Sequence, residues 1–131
     1  MNAKTLIAAS ALLWIGASFL NATRVSAQSH AERLVRLAEL EIDPAQLEAY
    51  KASLREEIET SVRVEPGVLT LYAVSVKGQP NQIRLFEIYA SPAAYQSHLQ
   101  SEHFKKYKSA TASMVQSLRL IETEPLVLGT K

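Results

Sequence analysis

Six side chains in the second half of the chain are of types that could carry out chemistry. Three are carboxylate or imidazole groups and three are tyrosines: Glu87, His98, His103, Tyr72, Tyr89 and Tyr95. A carboxylate or an imidazole can move a proton during a reaction, whereas a tyrosine offers a ligand both an apolar ring and a hydroxyl group. Together these side chains could bind an organic molecule and exchange a proton with it.

Each of these residues also has a purely structural interpretation. Glu87 lies in a predicted strand, where a carboxylate often accepts a hydrogen bond from a helix or an interface. His98 and His103 are five residues apart, about 140° around a regular helix, so they share a face only if the helix breaks between them. Either histidine could instead cap a helix or lie at the surface. The histidine pair lacks a convincing third ligand, so we predict no metal site.

The first predicted elements are a strand and a helix. Apolar residues fall mostly on alternate positions over 33–42, which indicates a strand. Asp43 followed by Pro44 is a helix-start signal, because the carboxylate accepts free N–H groups and proline has none to lose. Apolar residues then recur at three- and four-residue steps from Leu47 to Val62, so one helical face packs against another layer. The acidic run Glu56, Glu57 and Glu59, with Arg33, Arg36 and Lys51, is interpreted as solvated faces or dimer ion pairs.

A hairpin follows the first helix. Pro66 and Gly67 end that helix, and residues 68–76 and 82–89 both alternate as strands, separated by a turn cluster over 77–81. By strand parity Glu87 shares a face with Leu85 and Tyr89, the face that could form a pocket. Bulky residues occur on both faces, so we expect a sheet that is covered on both sides.

A second helical region and a last strand complete the predicted domain. Ser91 and Pro92 repeat the helix-start signal, a break is expected near Ser101, and residues 117–121 form a fourth strand. The order β-α-β-β-α-β predicts an α+β, ferredoxin-like antiparallel sheet with its helices on one face. The identical sheet of a second copy would cover the other face, and residues 124–129 could add an edge strand there.

The first 27 residues have the plan of a secretory signal peptide. Lys4 precedes an apolar stretch over 6–20, and Val25-Ser26-Ala27 is a small-x-small cleavage site. We predict cleavage after Ala27 and one mature domain over 28–131, located in the periplasm or secreted. Because the apolar stretch is shorter than the usual spanning length of about twenty residues, a retained membrane anchor is the alternative. After cleavage no membrane association is expected.

Charge and cysteine content exclude several classes of protein. Loss of the leader removes Lys4 and Arg24 from fourteen basic residues, which leaves twelve against thirteen acidic ones. A near-neutral domain without a basic cluster has no footprint for nucleic acid. The chain has no cysteine, so neither disulfides nor thiolate chemistry contributes.

Three segments carry a specific resemblance. They read EPGVL at 65–69, LFEIY at 85–89 and AYQSHLQSEHF at 94–104. In this order and spacing the chain resembles the antibiotic biosynthesis monooxygenase family over residues 32–128, particularly its quinol monooxygenase branch. The resemblance implies a homodimeric α+β barrel, a pocket between sheet and helices, and oxidation of quinols or polycyclic phenols by dioxygen with neither metal nor flavin as cofactor.

The resemblance also gives the candidate residues their expected roles. Glu87, His98 and His103 are the candidate catalytic groups, as a base or hydrogen-bond partner of a phenol. The substrate-contacting candidates share an aromatic ring and a hydroxyl group: Tyr72, Tyr89 and Tyr95. Their structural alternative is a place in the core or the dimer interface.

Departures from the better-known branches of the family keep other functions open. The polyketide-tailoring enzymes carry Asn and Trp where this chain has Leu85 and Tyr89, and only Tyr95 is retained. The haem-degrading branch has Trp and a histidine ligand where this chain has Tyr89 and Lys108, so a haem oxygenase is disfavoured. The alternatives to a cofactor-independent quinol monooxygenase are an isomerase of a small sugar-like metabolite and a non-catalytic periplasmic binding module.

Overall fold

A four-stranded antiparallel sheet forms one layer of the molecule. The computed structural model describes residues 33–129, and the predicted signal peptide lies outside this part of the chain. The strands are β1 (Leu34–Ile42), β2 (Val68–Val76), β3 (Gln79–Tyr89) and β4 (Val115–Thr123). Their order is β2-β3-β1-β4, with β1 paired to both β3 and β4. This is the ferredoxin-like arrangement, so the predicted fold class is confirmed.

Three α-helices form the second layer: α1 (Leu47–Val64), α2 (Pro92–Gln100) and α3 (Glu102–Thr111). Both predicted caps are present, since Asp43 accepts from the Ala45 N–H at 2.9 Å and Ser91 accepts from the Ala94 N–H at 3.1 Å. A short 3₁₀ turn over Pro44–Gln46 precedes α1.

The helical region breaks where the sequence predicted. Ser101 has extended backbone dihedrals of φ −65° and ψ 148°, and it ends α2 and caps α3 at once. Its hydroxyl donates to the His98 carbonyl at 2.8 Å and accepts from the Phe104 N–H at 3.3 Å. The change of helix direction at this one residue determines how the side chains before and after it face each other.

A close approach at Gly67 joins the end of α1 to the start of α2. The Gly67 carbonyl accepts a hydrogen bond from the Ala90 N–H at 2.9 Å. A Cβ atom on Gly67 would lie 2.5 Å from the Cβ of Ala94, nearer than two carbon atoms can pack. Glycine is therefore required here for lack of space, and this contact holds the C-terminus of α1 beside α2.

The main core lies between the sheet and α1. Its buried members share the helix-facing side of β1 and β3 or the sheet-facing side of α1: Ala38, Leu40, Ile42, Tyr50, Leu54, Ile83 and Leu85. The buried Tyr50 also reaches α3, where its hydroxyl is 2.8 Å from the Tyr107 hydroxyl. Helix α1 is thereby fixed against both the sheet and α3.

The opposite face of the sheet carries exposed apolar side chains. Tyr72, Val74 and Phe86 are 69%, 60% and 40% exposed, and they occupy neighbouring positions because Tyr72 pairs with Phe86 and Val74 with Arg84. Within residues 33–129, helices cover only one side of the sheet.

Two expectations about the strands need correction. The turn between β2 and β3 is shorter than the predicted cluster over 77–81, because Gly78 adopts a φ of +81° and lets β3 begin at Gln79. Strand β4 extends beyond the predicted 117–121.

The tail does not form the predicted edge strand in the single chain. Residues 124–129 contain no strand; instead, Val127 and Leu128 line a shallow groove on the open face with Phe86 and Ile88. A tail that crosses the face of a sheet cannot join the hydrogen-bond ladder along its edge. Exchange of this tail with a second copy stays a prediction.

None of the helices within the described residues is both long enough and apolar enough to cross a membrane.

Candidate functional site

A cavity of about 270 Å³ lies between the helix-facing side of the sheet and helices α2 and α3. Its walls are mainly apolar, with Leu40, Leu71, Leu85, Leu99 and Phe104 among them. The lining also includes three tyrosines and four charged or titratable side chains: Glu57, Glu87, His98 and Lys108. This combination of an apolar lining with a few convergent polar groups is typical of small-molecule sites.

Strand β3 supplies the first polar pair. Glu87 and Tyr89 are two residues apart and so point to the same face, and the Tyr89 hydroxyl donates a hydrogen bond to Glu87 Oε2 at 3.1 Å. Burial raises the pKa of Glu87 above its usual value, against the opposing effect of this hydrogen bond. Burial and the nearby Glu87 charge also raise the pKa of Tyr89. The pair is a carboxylate of increased basicity beside a phenol that stays protonated.

Arg36 borders this pair on the neighbouring strand. It is the register partner of Glu87, and its guanidinium carbon lies 4.6 Å from the centre of the Tyr95 ring. The Arg36 side chain is only 11% exposed. The interpretation of Arg36 as part of a solvated face was therefore wrong.

His98 on α2 forms another wall of the cavity and is only 3% exposed. Its Nδ1 is 2.9 Å from Glu65 Oε1, and its Nε2 is 3.6 Å from Glu57 Oε1. The ring also packs beside Tyr89, with centroids 5.4 Å apart, and Phe104, with centroids 4.7 Å apart. Two carboxylates and two aromatic rings thus fix the orientation of this imidazole.

Glu57 is a site residue that the sequence analysis missed. It was placed in a solvated acidic run, but it is buried, and Ser61 one turn later donates a hydrogen bond to its Oε1 at 2.7 Å. Burial raises the pKa of Glu57, while the Ser61 hydrogen bond and the histidines oppose the rise. The signal was its helical phase, because Glu57 follows the buried Tyr50 and Leu54 by seven and three residues on the same stripe.

Glu65 is the second residue that was missed. It follows the last residue of α1, where the sequence analysis saw only a helix end before Pro66. The same Oε1 atom that binds His98 is 2.5 Å from His103 Nε2. Burial works to raise the pKa of Glu65, but the hydrogen bonds and charges of His98 and His103 outweigh it and hold the pKa below its usual value.

The break at Ser101 explains why both histidines reach one carboxylate. On a continuous helix they would point about 140° apart, whereas here the two rings lie 6.3 Å apart, centroid to centroid. Two imidazole nitrogens and one carboxylate oxygen, from His98, His103 and Glu65, all lie within 4.8 Å of one another. Glu65 is therefore the third ligand that the histidine pair lacked in the sequence analysis. The three side chains together could hold a metal ion.

The structure brings together four of the six candidate residues. The cavity lining includes Glu87, Tyr89, Tyr95 and His98. His103 instead contacts Glu65 behind His98, and it lines only a small separate cleft of about 30 Å³. Tyr72 lies on the open face of the sheet, away from the cavity.

The fold and the cavity define a ferredoxin-like α+β protein with a small-molecule site under its helices. The sequence model of the family described as antibiotic biosynthesis monooxygenase matches residues 33–110, which is more than half of the chain. The chain therefore belongs to the antibiotic biosynthesis monooxygenase family. This membership supports a general monooxygenase-like function.

Solved structures agree with this assignment. A protein from Bacteroides thetaiotaomicron, provisionally named an antibiotic biosynthesis monooxygenase, is 54% identical; the match covers 78% of this chain and 97% of that one, with a TM-score of 0.75. Two provisionally named members from Caulobacter crescentus and Nitrosomonas europaea, at 17% and 20% identity, share the fold. Their matches cover 79% and 73% of this chain and 99% and 92% of theirs, with TM-scores of 0.70 and 0.69. No curated protein matches the chain significantly.

Proposed function

We propose that this protein is a cofactor-independent monooxygenase that oxidises a quinol or a related phenol with dioxygen. The observation that carries the proposal is the half-buried Glu87 carboxylate, hydrogen-bonded to Tyr89, at the wall of a mainly apolar cavity. Without a cofactor the substrate itself must supply the electrons, so the protein has to bind an electron-rich ring and help to remove its phenolic proton. A half-buried carboxylate whose pKa is raised fits that task.

The raised pKa of Glu87 makes it suited to this role as a base. A phenol has a pKa of about 10, and proton transfer becomes easier as the pKa values of base and acid approach each other. Burial moves the pKa of Glu87 in that direction. The Tyr89 hydroxyl holds the carboxylate in place and leaves its second oxygen free to accept the substrate proton.

The cavity size favours a substrate with one aromatic ring. A cavity of about 150 Å³ is enough for benzene, so about 270 Å³ accommodates a substituted ring with two hydroxyl groups. The cavity is bordered at β4 by Leu118 and Leu120, which are 44% and 47% exposed. A polycyclic substrate would have to extend past these two side chains.

The reaction balances with dioxygen as the only co-reactant. One oxygen atom replaces a ring hydrogen as a hydroxyl group, and the two phenolic O–H bonds become carbonyl groups. These changes remove four electrons from the quinol, and the other oxygen atom leaves as water. Glu87 takes a phenolic proton at the start, and the ring of His98, whose two nitrogens face Glu65 and Glu57, forms part of the cavity wall.

Dioxygen uptake by the metal-stripped protein tests this proposal. We expect uptake above autoxidation with monocyclic hydroquinols, and a loss of about 100-fold in Glu87→Gln, the usual contribution of a positioned base. Glu59→Gln on the exposed side of α1 is the matched control and should keep full activity. Saturable quinol binding without uptake would overturn the oxygenase and indicate a binding module, and turnover without oxygen would indicate an isomerase.

Two further features belong to the proposal. We propose a homodimer that buries the open face of the sheet, since Tyr72, Val74 and Phe86 form an apolar patch there.

We also propose export to the periplasm or the medium with cleavage after Ala27, as the leader pattern predicts. The intact mass of the protein from an export-competent host would then correspond to a chain that begins at Gln28; a mass that includes residues 1–27 would contradict cleavage.

A further inference from the structure

The cluster of Glu65, His98 and His103 adjoins the cavity through the ring of His98, whereas Glu65 and His103 lie outside the cavity lining. None of the three exchanges a proton with the substrate in the proposed oxidation. Its three donor atoms come from different elements: the residue after α1, helix α2 and helix α3. His98 Nδ1 and His103 Nε2 are 2.9 Å and 2.5 Å from the same Glu65 oxygen. Hydrogen bonding explains these contacts only if each nitrogen carries a proton or shares one with the carboxylate.

We propose that Glu65, His98 and His103 bind a divalent transition-metal ion of the zinc class. Two imidazole nitrogens and one carboxylate oxygen are a donor set that such ions prefer, with bonds of about 2.0 to 2.2 Å. Those bond lengths place tetrahedral ligand atoms roughly 3.4 Å apart. All three donor atoms already lie within 4.8 Å of one another, so small side-chain rotations bring them to the required spacing.

A second carboxylate supports His98 from the other side. The Nε2 atom of His98 faces Glu57 Oε1 at 3.6 Å, and Ser61 holds that same oxygen at 2.7 Å. A metal-binding histidine usually donates its other N–H to a carboxylate, which fixes the tautomer that leaves the ligating nitrogen free. At 3.6 Å the contact is longer than a hydrogen bond, but a small approach of Glu57 on metal binding would let it accept the Nε2 proton and leave Nδ1 free for the ion.

Charge and access also favour a cation. Two carboxylates, Glu57 and Glu65, approach the buried His98, and their mutual repulsion is relieved by a positive ion between the ligands. The Glu65 and His103 side chains are 16% and 20% exposed, against 3% for His98. The cluster therefore opens to solvent on the side of Glu65 and His103, where an ion can enter and keep a water as its fourth ligand.

The metal site is distinct from the substrate cavity. His98 is the one member that lines the cavity, whereas Glu65 and His103 do not. A bound ion would tie the ends of three helices together and fix the His98 ring as part of the cavity wall. The effect on the protein would be structural, with no role for the metal in oxygen chemistry.

Competition for Zn²⁺ between the metal-stripped full chain and a chromophoric chelator tests the site, with Co²⁺ absorption as a report on coordination. We expect one ion per chain, intense visible Co²⁺ bands, and an affinity reduced about 10- to 100-fold in Glu57→Gln. The Zn²⁺ affinity should fall further in His103→Ala and Glu65→Gln than in Glu57→Gln. Glu59→Gln on the α1 surface should keep the wild-type affinity. Circular dichroism verifies that each variant is folded.

Binding of less than one ion per chain, or an affinity that Glu65→Gln and His103→Ala both leave unchanged, would overturn the metal site. Because oxygen uptake is measured on metal-stripped protein, a failure to bind metal would leave the proposed oxidation untouched. A failure to consume oxygen would likewise leave the metal site untouched.

Discussion

The Tyr89 hydroxyl donates a hydrogen bond to Glu87 two residues earlier on the same strand, with 3.1 Å between the oxygens. Alternation along β3 puts both side chains under the helices, where burial raises the pKa of each. The hydrogen bond offsets part of the desolvation cost of the carboxylate in the mainly apolar cavity, although a hydroxyl group carries no positive charge.

The stability difference between Glu87→Gln and the wild type should depend on pH. Because the folded-state pKa of Glu87 is raised above 4.5, its contribution to stability is full below the unfolded pKa and decreases as the pH rises through the folded pKa. Gln cannot ionise, so the variant should gain in relative free energy of unfolding between pH 4 and pH 8. Urea denaturation of both proteins at pH 4 and at pH 8 measures this gain. The same stability difference between variant and wild type at the two pH values would contradict a raised pKa for Glu87.

Gly67→Ala should destabilise the protein although the substitution adds one methyl group. The new Cβ would meet the Cβ of Ala94 at 2.5 Å, and overpacking of this kind costs about 1 to 3 kcal/mol. The double variant Gly67→Ala with Ala94→Gly should recover most of the lost free energy of unfolding. Thermal unfolding measures both effects, with Gly129→Ala, which has open space around it, as the control.

If the double variant is no more stable than Gly67→Ala alone, the loss comes from the backbone of residue 67 and the close approach of α1 to α2 is not its cause.

Phe86→Glu should convert the proposed dimer to a monomer. Phe86 is 40% exposed in the single chain and lies beside Tyr72 on the open face. A charge buried in an interface without a partner costs several kcal/mol, which is enough to dissociate a dimer at micromolar concentration. Light scattering after gel filtration gives the mass. Val62→Glu on α1, which is 50% exposed, is the control and should leave the mass unchanged.

A wild-type chain that is itself a monomer at tens of micromolar would contradict the proposed interface, as would a dimer that Phe86→Glu leaves intact.

Periodicity and caps were sufficient to predict the fold. The strand alternation, the helical stripe that begins at Leu47, and the starts at Asp43 and Ser91 all depend on local backbone chemistry, and the structure confirms them. The shorter turn at Gly78 and the tail were not predictable in this way. The turn is shorter because Gly78 adopts a positive φ, which glycine permits but does not require. The position of the tail depends on where other parts of the chain lie.

The site was predictable only in part for the same reason. Strand parity correctly placed Glu87 with Tyr89 on one face, and the helical break allowed His98 and His103 to approach. The buried Glu57 and the half-buried Glu65 were missed because a carboxylate is normally solvated. No local pattern shows that two histidines, 33 and 38 residues after Glu65 in the chain, contact its side chain.

Isotope incorporation is the most direct test of the proposed oxidation. Turnover of a monocyclic hydroquinol by the metal-stripped protein under ¹⁸O₂, with mass spectrometry of the rapidly reduced product, identifies the source of the new hydroxyl oxygen. The account predicts one ¹⁸O atom in the product, strongly diminished yield in Glu87→Gln and full yield in Glu59→Gln. A product without ¹⁸O, or with label only from H₂¹⁸O, would contradict a monooxygenase.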